Sequence, residues 1–458
     1  MPNASIMWFR RDLRLGDNPA LLAARDAADG GPVVPVFVLD PALWTPSGPP
    51  RQAFLISCLA HLDKAMGGRL VVRRGSPATV LPHLAAKVGA SSVHIAADTG
   101  PYGRRRDEAV AKALGDIDVD LVSTGSAYAV TPGRITKPDG EPYRVFTPFA
   151  KAWRAHGWRA PAITPRSIPW ATGLDSDPLP DAPERNGLRL PAPGEVAARQ
   201  AWKSFRDDHI DAYFTDRNRP DLDRTSRLSP YLHFGCIHPR TLLADIAGQT
   251  GNGARTFVNE IAWREFYADV LWHHPDSARN YLQPRFQKMT YSTGKTADAH
   301  FTAWTLGRTG YPMVDAGMRQ LLAEGWMHNR VRMLVASFLV KDLHLEWTRG
   351  ARWFMSHLVD ADLASNQHGW QWVAGCGTDA APYYRVFNPV LQGKKFDPDG
   401  DYVRRYVPEL RDVAGGHDGS IHQPWALPDG LPVGYPARIV DHFAEREVAL
   451  GRYAQINT

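Results

Sequence analysis

Within the first 125 residues lie five short apolar runs, Ile6–Phe9, Val33–Leu39, Leu70–Val72, Val93–Ala96 and Val119–Val122, each separated from the next by a helix-like segment. The runs are rich in Val and Ile and apolar throughout, as strands buried on both faces of a parallel sheet are. The helical segments are Asn18–Ala28, Arg51–Met66, Pro77–Val88 and Arg104–Leu114, and Asp17 or Asn18 ahead of Pro19 reads as a helix start. This alternation predicts a doubly wound α/β domain with a five-stranded parallel sheet. Neither G-x-G-x-x-G after the first strand nor G-x-x-x-x-G-K-[ST] is present, which excludes the usual dinucleotide fingerprint and the P-loop. Ligands of such a sheet sit beyond the carboxyl ends of its strands, here near Phe9–Arg11, Leu39–Asp40 and Ala97–Tyr102.

The texture changes twice after that. Twelve prolines fall between Thr131 and Pro193, so little helix is expected and a long ordered connector is. From Glu195 the periodicity is mostly helical: Glu195–Asp208, Pro239–Ile246, Arg255–His273, Met313–Glu324, Met327–Asp342, Ala351–Leu358 and Asp362–Trp370. The expected organisation is therefore an α/β domain over 1–128, a Pro-rich connector over 129–194 and a large all-α domain over 195–458. The net charge of +5 permits a nucleic-acid partner without requiring one. Three dispersed cysteines, Cys58, Cys236 and Cys376, exclude a disulfide scaffold and four-cysteine metal sites, and suit a reducing cytoplasm. No apolar run approaches the about 18 residues of a membrane span, and no leader pattern opens the chain. Ten of the 15 Trp follow residue 196, so the helical part is also the indole-rich part.

Three helical segments could carry chemistry. In Arg255–His274 the residues Glu260, Trp263, Arg264 and Tyr267 share one face at i, i+3, i+4 and i+7. A Glu260–Arg264 helix pair, worth about a few tenths of a kcal/mol, is the bland reading. In Trp326–Asp342, Asn329 and Met333 stack at i, i+4 beside Arg330 and Arg332; a Met filling the core is the bland reading there. In Asp360–Trp372, the residues Asp362, Asn366 and Trp370 fall on one face. With Asp360 and Trp372 they make a surface suited to a flat heteroaromatic ligand. Two acids without His at ligand spacing argue against a metal. Thr225–Ser229, TSRLS, precedes a short helix and could cradle a phosphate or merely cap it.

Taken together, WFRRDLRLGDNPAL (8–21), TSRLSPYLHFG (225–235), NEIAWREFY (259–267), TGYPMVDAGMRQL (309–321), GWMHNRVRM (325–333) and DADLASNQHGWQW (360–372) resemble the photolyase/cryptochrome family. The order and spacing agree over nearly the whole chain, and the resemblance is closest to its bacterial class I branch acting on cyclobutane pyrimidine dimers. It implies light-driven DNA repair: reduced FAD passes an electron to a flipped-out dimer in UV-damaged DNA, single- or double-stranded, and the ring splits. Carried over by motif, FAD would be held by Tyr213, Thr225, Ser226, Arg227, Leu228, Ser229, Glu260, Arg264, Asn329, Arg332, Asp360, Asp362 and Asn366, with Asp360 and Arg332 an ion pair beside the isoalloxazine. Glu260, Trp263, Asn329, Met333 and Trp372 would contact the lesion. Arg217, Arg330 and Arg385 would contact phosphates or the rim, making binding salt-dependent. Catalytic roles would fall to Glu260 and Asn366, and to Trp370 and Trp347 as electron carriers.

The same resemblance leaves alternatives. A cryptochrome-type blue-light photoreceptor and a six-four photoproduct photolyase share the fold. Asn329 and Met333 in place of a histidine pair, Asn366 with no acidic proton to give, and the absence of a long tail favour cyclobutane-dimer repair. Two positions depart from the family. The third Trp of the electron-carrying series falls at Gly294, with Tyr291 or another aromatic as its substitute. The Glu of folate-binding members falls at Gly103. PYGRRRD (101–107) instead resembles members with an 8-hydroxy-5-deazaflavin antenna, whose pocket would involve Phe37, Asp40, Arg51, Asp98 and Tyr102. Methenyltetrahydrofolate, or a pocket left empty or filled by a flavin, are the alternatives. A monomer in the cytoplasm, on the nucleoid when bound to DNA, completes the expectation.

Overall fold

The computed structural model describes residues 4–184, 187–378, 384–413 and 419–456. The chain divides into two compact units, each drawn from three segments. The first comprises Met1–Arg185, Pro191–Ile210 and Ser226–Pro275; the second comprises Asn186–Leu190, Asp211–Thr225 and Asp276–Thr458.

The first unit contains a five-stranded parallel sheet: β1 (Ala4–Phe9), β2 (Val33–Leu39), β3 (Val71–Arg74), β4 (Ala90–Ala97) and β5 (Asp120–Ser126), in the order β3-β2-β1-β4-β5. Every residue of β1 and β2 is buried, which is why both read as unbroken apolar runs. The register pairs Ile6 with Val34 on one side of β1 and with Val93 on the other. Four of the intervening helices, Pro19–Ala28, Pro49–Ala65, Pro77–Val88 and Pro101–Gly115, each open on a proline whose missing N–H costs nothing there. Asn18 caps the first by accepting from the Leu21 N–H at 3.2 Å. Strand order reverses at β1 and β4, and the mouth of that crevice is lined by Arg10, Arg11, Ala97, Asp98 and Tyr128.

The connector contributes one helix, Phe146–His156, packed on the long helix Asn252–His273 through Phe149 and Phe266, whose ring centroids are 5.1 Å apart. Glu265 of the long helix is fully buried and accepts from the Val130 N–H at 3.0 Å and the Trp153 indole at 2.6 Å, as well as from the Ala129 N–H. Burial pushes its pKa up to about 7, against the pull of those donors.

The described part of the second unit is helical. Lys295–Thr305, Pro312–Glu324, Asn329–Ser337, Trp347–His357, Leu363–Ala374 and His442–Gln455 surround a core that includes Trp304, Tyr311, Phe338, Trp347, Phe354 and Trp370. The segment expected to be one helix from Met327 to Asp342 starts at Asn329, because His328 caps it, and widens to π pitch over Phe338–Asp342. The helix expected from Ala351 begins a turn earlier at Trp347. Gly350 lets it close on its neighbour: a Cβ there would lie 2.1 Å from the Trp370 ring. No helix among the described residues is long and apolar enough to cross a membrane.

Candidate functional site

In the second unit the structure brings together much of the polar face read from Asp360–Trp372. Asp360 is buried, its side chain 2% exposed, and Oδ2 accepts from Arg332 Nη2 at 2.8 Å. Arg332 is itself fixed by a 2.8 Å bond from Nε to the Met327 carbonyl. The other oxygen of Asp360 is buried with no protein partner, an acceptor aimed at something the polypeptide does not provide. Asp362 lies one residue ahead of the helix, and its carboxylate accepts from the Ser365 N–H at 3.0 Å. Its alignment with Asn366 and Trp370 is thus that of an N-cap with the face it starts. Asn366 donates from Nδ2 to the Ala351 carbonyl at 3.1 Å and to Gln367 at 2.8 Å, which fixes its carboxamide. The indole N–H groups of Trp370 and Trp347 are buried and unmatched.

Asn329 is exposed and Met333, one turn on, is half-buried, so this Met is not simply core filler. Arg330 donates from Nη2 to Asn218 Oδ1 at 2.8 Å and lies 4.5 Å over the Phe396 ring. Burial lowers its pKa and neighbouring Arg217 lowers it further, the mark of two guanidiniums held close enough to repel. Trp372 and Arg385 line one cleft with Arg285, Lys341, Tyr384 and Tyr453. Tyr213 is buried at the start of a short helix, and the Thr225 hydroxyl is buried with no partner.

In the first unit, Glu260, Trp263, Arg264 and Tyr267 are the half-exposed face of a helix otherwise largely buried, as their spacing predicts. Arg264 commits its guanidinium to the carbonyls of Ala127 at 3.0 Å and Leu232 at 3.2 Å, over the Tyr128 ring. Trp263 stacks flat on Phe146, centroids 3.7 Å apart. Arg227 adopts a left-handed φ of 47° and Leu228 a right-handed conformation. Such a pair turns successive N–H groups to one side just before the helix at Ser229.

These features coincide with two family descriptions. That for DNA photolyase matches residues 5–167, and that for the FAD binding domain of DNA photolyase matches residues 257–455. A Streptomyces griseus chain named deoxyribodipyrimidine photo-lyase is 43% identical over 96% of both chains. The protein belongs to the DNA photolyase family. Among solved structures, a bacterial class III photolyase from Agrobacterium tumefaciens is 39% identical, with TM-score 0.92, covering 100% of this chain and 98% of its own. A Synechocystis cryptochrome matches with TM-score 0.87 at 27% identity, covering 99% of each chain.

As in the family, the photolyase carries an FAD-binding domain, and its residues fit that group: the unmatched Asp360 Oδ1 and Thr225 Oγ1 are acceptors or donors awaiting a polar ligand. In the photolyase's sheet crevice, Tyr102 donates to Asp40, and burial together with that carboxylate pushes the phenol up to about 12. Burial works to raise the pKa of Asp98, but Arg106, Arg10 and Arg11 prevail and hold it low. A Cβ at Gly103 would come within 2.1 Å of the Asp98 carboxyl carbon. Phe37 is buried, and burial lowers the Arg51 pKa to about 10. Sequence reasoning missed Phe146, Asn218, Lys341 and Glu265. Phe146 and Glu265 act across more than 100 residues of chain, where no local periodicity reports them.

Proposed function

We infer that this photolyase is a light-driven DNA-repair enzyme, a deoxyribodipyrimidine photo-lyase, acting on cyclobutane pyrimidine dimers. The observation that carries this reading is the full-length match, at 43% identity, to a chain of that name. FAD, when bound and reduced, supplies under blue light the electron that opens the cyclobutane ring. The chain's own residues bind, orient and exclude. Asp360 and Arg332, paired to each other, would flank the isoalloxazine, and Asp362 and the fixed carboxamide of Asn366 would also line the flavin. Tyr213, Thr225, Ser226, Arg227, Leu228 and Ser229 would hold the phosphates, and Arg264 would brace the helix that starts at Ser229 through the Leu232 carbonyl. Glu260 and Asn329 hydrogen-bond the dimer, Trp263 and Trp372 pack on it, and Met333 gives an apolar contact. Arg217, Arg330 and Arg385 take backbone phosphates, a role supported by the crowding of the first two guanidiniums. Trp370 and Trp347 carry electrons to oxidised flavin.

The class I assignment rests on the motifs alone, and 8-hydroxy-5-deazaflavin is the favoured antenna. Supporting the latter, Asp98 fills the space that a side chain at position 103 would need, so a folate-type Glu would have to displace Asp98 from its pairing with Arg106. The enzyme works as a cytoplasmic monomer on DNA. The test is repair of a thymine dimer in a short oligonucleotide by dithionite-reduced protein, in blue light and in darkness. Repair in light alone is expected. Bound FAD without repair would favour the photoreceptor reading, for which the cryptochrome neighbour of the same fold is the specific support, or six-four photoproducts, separated by the same assay on that lesion.

A further inference from the structure

Gly294, where a third indole would fall, caps the helix Lys295–Thr305 with a φ of 83°, and a Cβ there would touch nothing. The aromatic group that does meet Trp347 is Tyr281, edge-on with ring centroids 6.1 Å apart. Trp347 is fully buried and its indole N–H has no acceptor. An oxidised Trp347 therefore has no protein acceptor for its proton and is left a cation in a low-dielectric core, where charge is costly. Tyr281 has what Trp347 lacks. Its hydroxyl donates to Glu346 Oε1 at 2.9 Å, within reach of direct proton transfer. Its oxygen also shares a 3.2 Å bond with the Tyr291 hydroxyl. With the single Tyr281 proton directed at Glu346, Tyr291 is the donor in that pair. Glu346 occupies the N-cap position of the helix Trp347–His357 yet makes no capping bond; its carboxylate is turned to Tyr281 instead.

We propose that Tyr281 is the terminal electron donor of the route through Trp370 and Trp347, with Glu346 accepting its phenolic proton. This rests on the assignment of those two Trp as carriers to photo-excited oxidised flavin, which is the oxidant. One electron passes from Tyr281 to the Trp347 radical cation as the O–H bond breaks and the proton joins Glu346 Oε1. Trp347 is restored, Tyr281 becomes a neutral phenoxyl radical and Glu346 a carboxylic acid. A buried positive and a nearby negative charge vanish together, and recombination would need both electron and proton to return. The competing exit is less suited. From Trp370 through Trp304, 6.2 Å away, it meets Phe301 before Trp353. Phe301 is hard to oxidise and lies 4.3 Å beneath the cationic Arg349, which is paired to exposed Asp298. Glu346 puts a negative charge beside the first route; Arg349 puts a positive one beside the second.

The experiment is flash photolysis and EPR on the full-length, FAD-loaded protein with its flavin oxidised and no added reductant, in H2O and D2O. Wild type should give a phenoxyl radical whose formation slows in D2O. Tyr281→Phe should lose that signal and shorten the charge-separated lifetime roughly tenfold. Glu346→Gln, which keeps both rings, should slow phenoxyl formation roughly tenfold. Bound FAD per chain checks folding of each variant. A phenoxyl signal that survives Tyr281→Phe, tryptophanyl radicals alone in wild type, or loss of the long-lived radical in Trp353→Phe but not Tyr281→Phe would each overturn the proposal. Photoreduction unchanged in Trp347→Phe would instead remove the underlying route. Photoreduction lost there but unaltered in Tyr281→Phe would remove only the role of Tyr281.

Discussion

Two buried carboxylates show how differently the regions around them are built. Glu265, beneath the connector, has both oxygens taken by donors of the polypeptide: two backbone N–H groups and the Trp153 indole. Asp360, in the helical second unit, has one oxygen on Arg332 and the other on nothing. A buried acceptor without a partner costs about 1–3 kcal/mol, and a bound ligand is one way to supply the missing donor. Glu265 is satisfied within the polypeptide; Asp360 is not. Exposure does not distinguish them, since both groups are buried. The count of satisfied lone pairs does.

The comparison can be broken at its open end first. Asp360→Ala removes the counter-ion of a largely buried Arg332. We expect a loss of about 3 kcal/mol and at least about a tenfold drop in FAD bound per chain, read from denaturation and from flavin absorbance. At the closed end, the raised pKa of Glu265 makes its contribution to stability largest below about pH 4.5 and progressively lost as pH rises through about 7. The loss is on the order of 3–4 kcal/mol. The difference in urea midpoint between wild type and Glu265→Gln should therefore change across pH 5 to 8 and level off above it. Gly103→Ala probes a second closed network, in which Asp98 bonds to Arg106 at 3.2 Å. The gain of about 1 kcal/mol in helix propensity should be outweighed by overpacking of about 1–3 kcal/mol, leaving a net loss of about 1 kcal/mol in chemical denaturation. Smallest is Arg330→Ala, which should weaken DNA binding and make the log–log salt slope shallower by about 1, measured by titration at several salt concentrations.

Much of this was legible in the sequence because it is local. β1 and β2 are buried on both faces, so their runs of Val, Ile and Phe needed no partner to be recognised. The face Glu260, Trp263, Arg264 and Tyr267 emerged from helical spacing, and the Asp360–Arg332 pair from motif resemblance. What stayed hidden depends on contacts between distant segments. The stack of Phe146 on Trp263 lies in a proline-rich stretch without periodicity. The Glu265 bonds reach back to residues 129, 130 and 153, and a Glu in a helix reads equally well as solvated surface. Helix starts shifted by one or two residues where a cap such as His328 or Asp362 fixed them.

The interleaving of the two units sets an order of events on the ribosome. The sheet and its connector are complete in sequence by residue 194, yet the carboxylate that gathers Ala129, Val130 and Trp153 belongs to a helix ending at His273. At roughly 5–20 residues per second, about 4–16 s of synthesis separate the two. Through that interval the nascent first unit has its strands but not its clasp, and the backbone N–H groups of residues 129 and 130 wait in water. A stop inserted after the connector would yield a chain with every strand of the sheet and no acceptor from Glu265 for residues 129, 130 and 153.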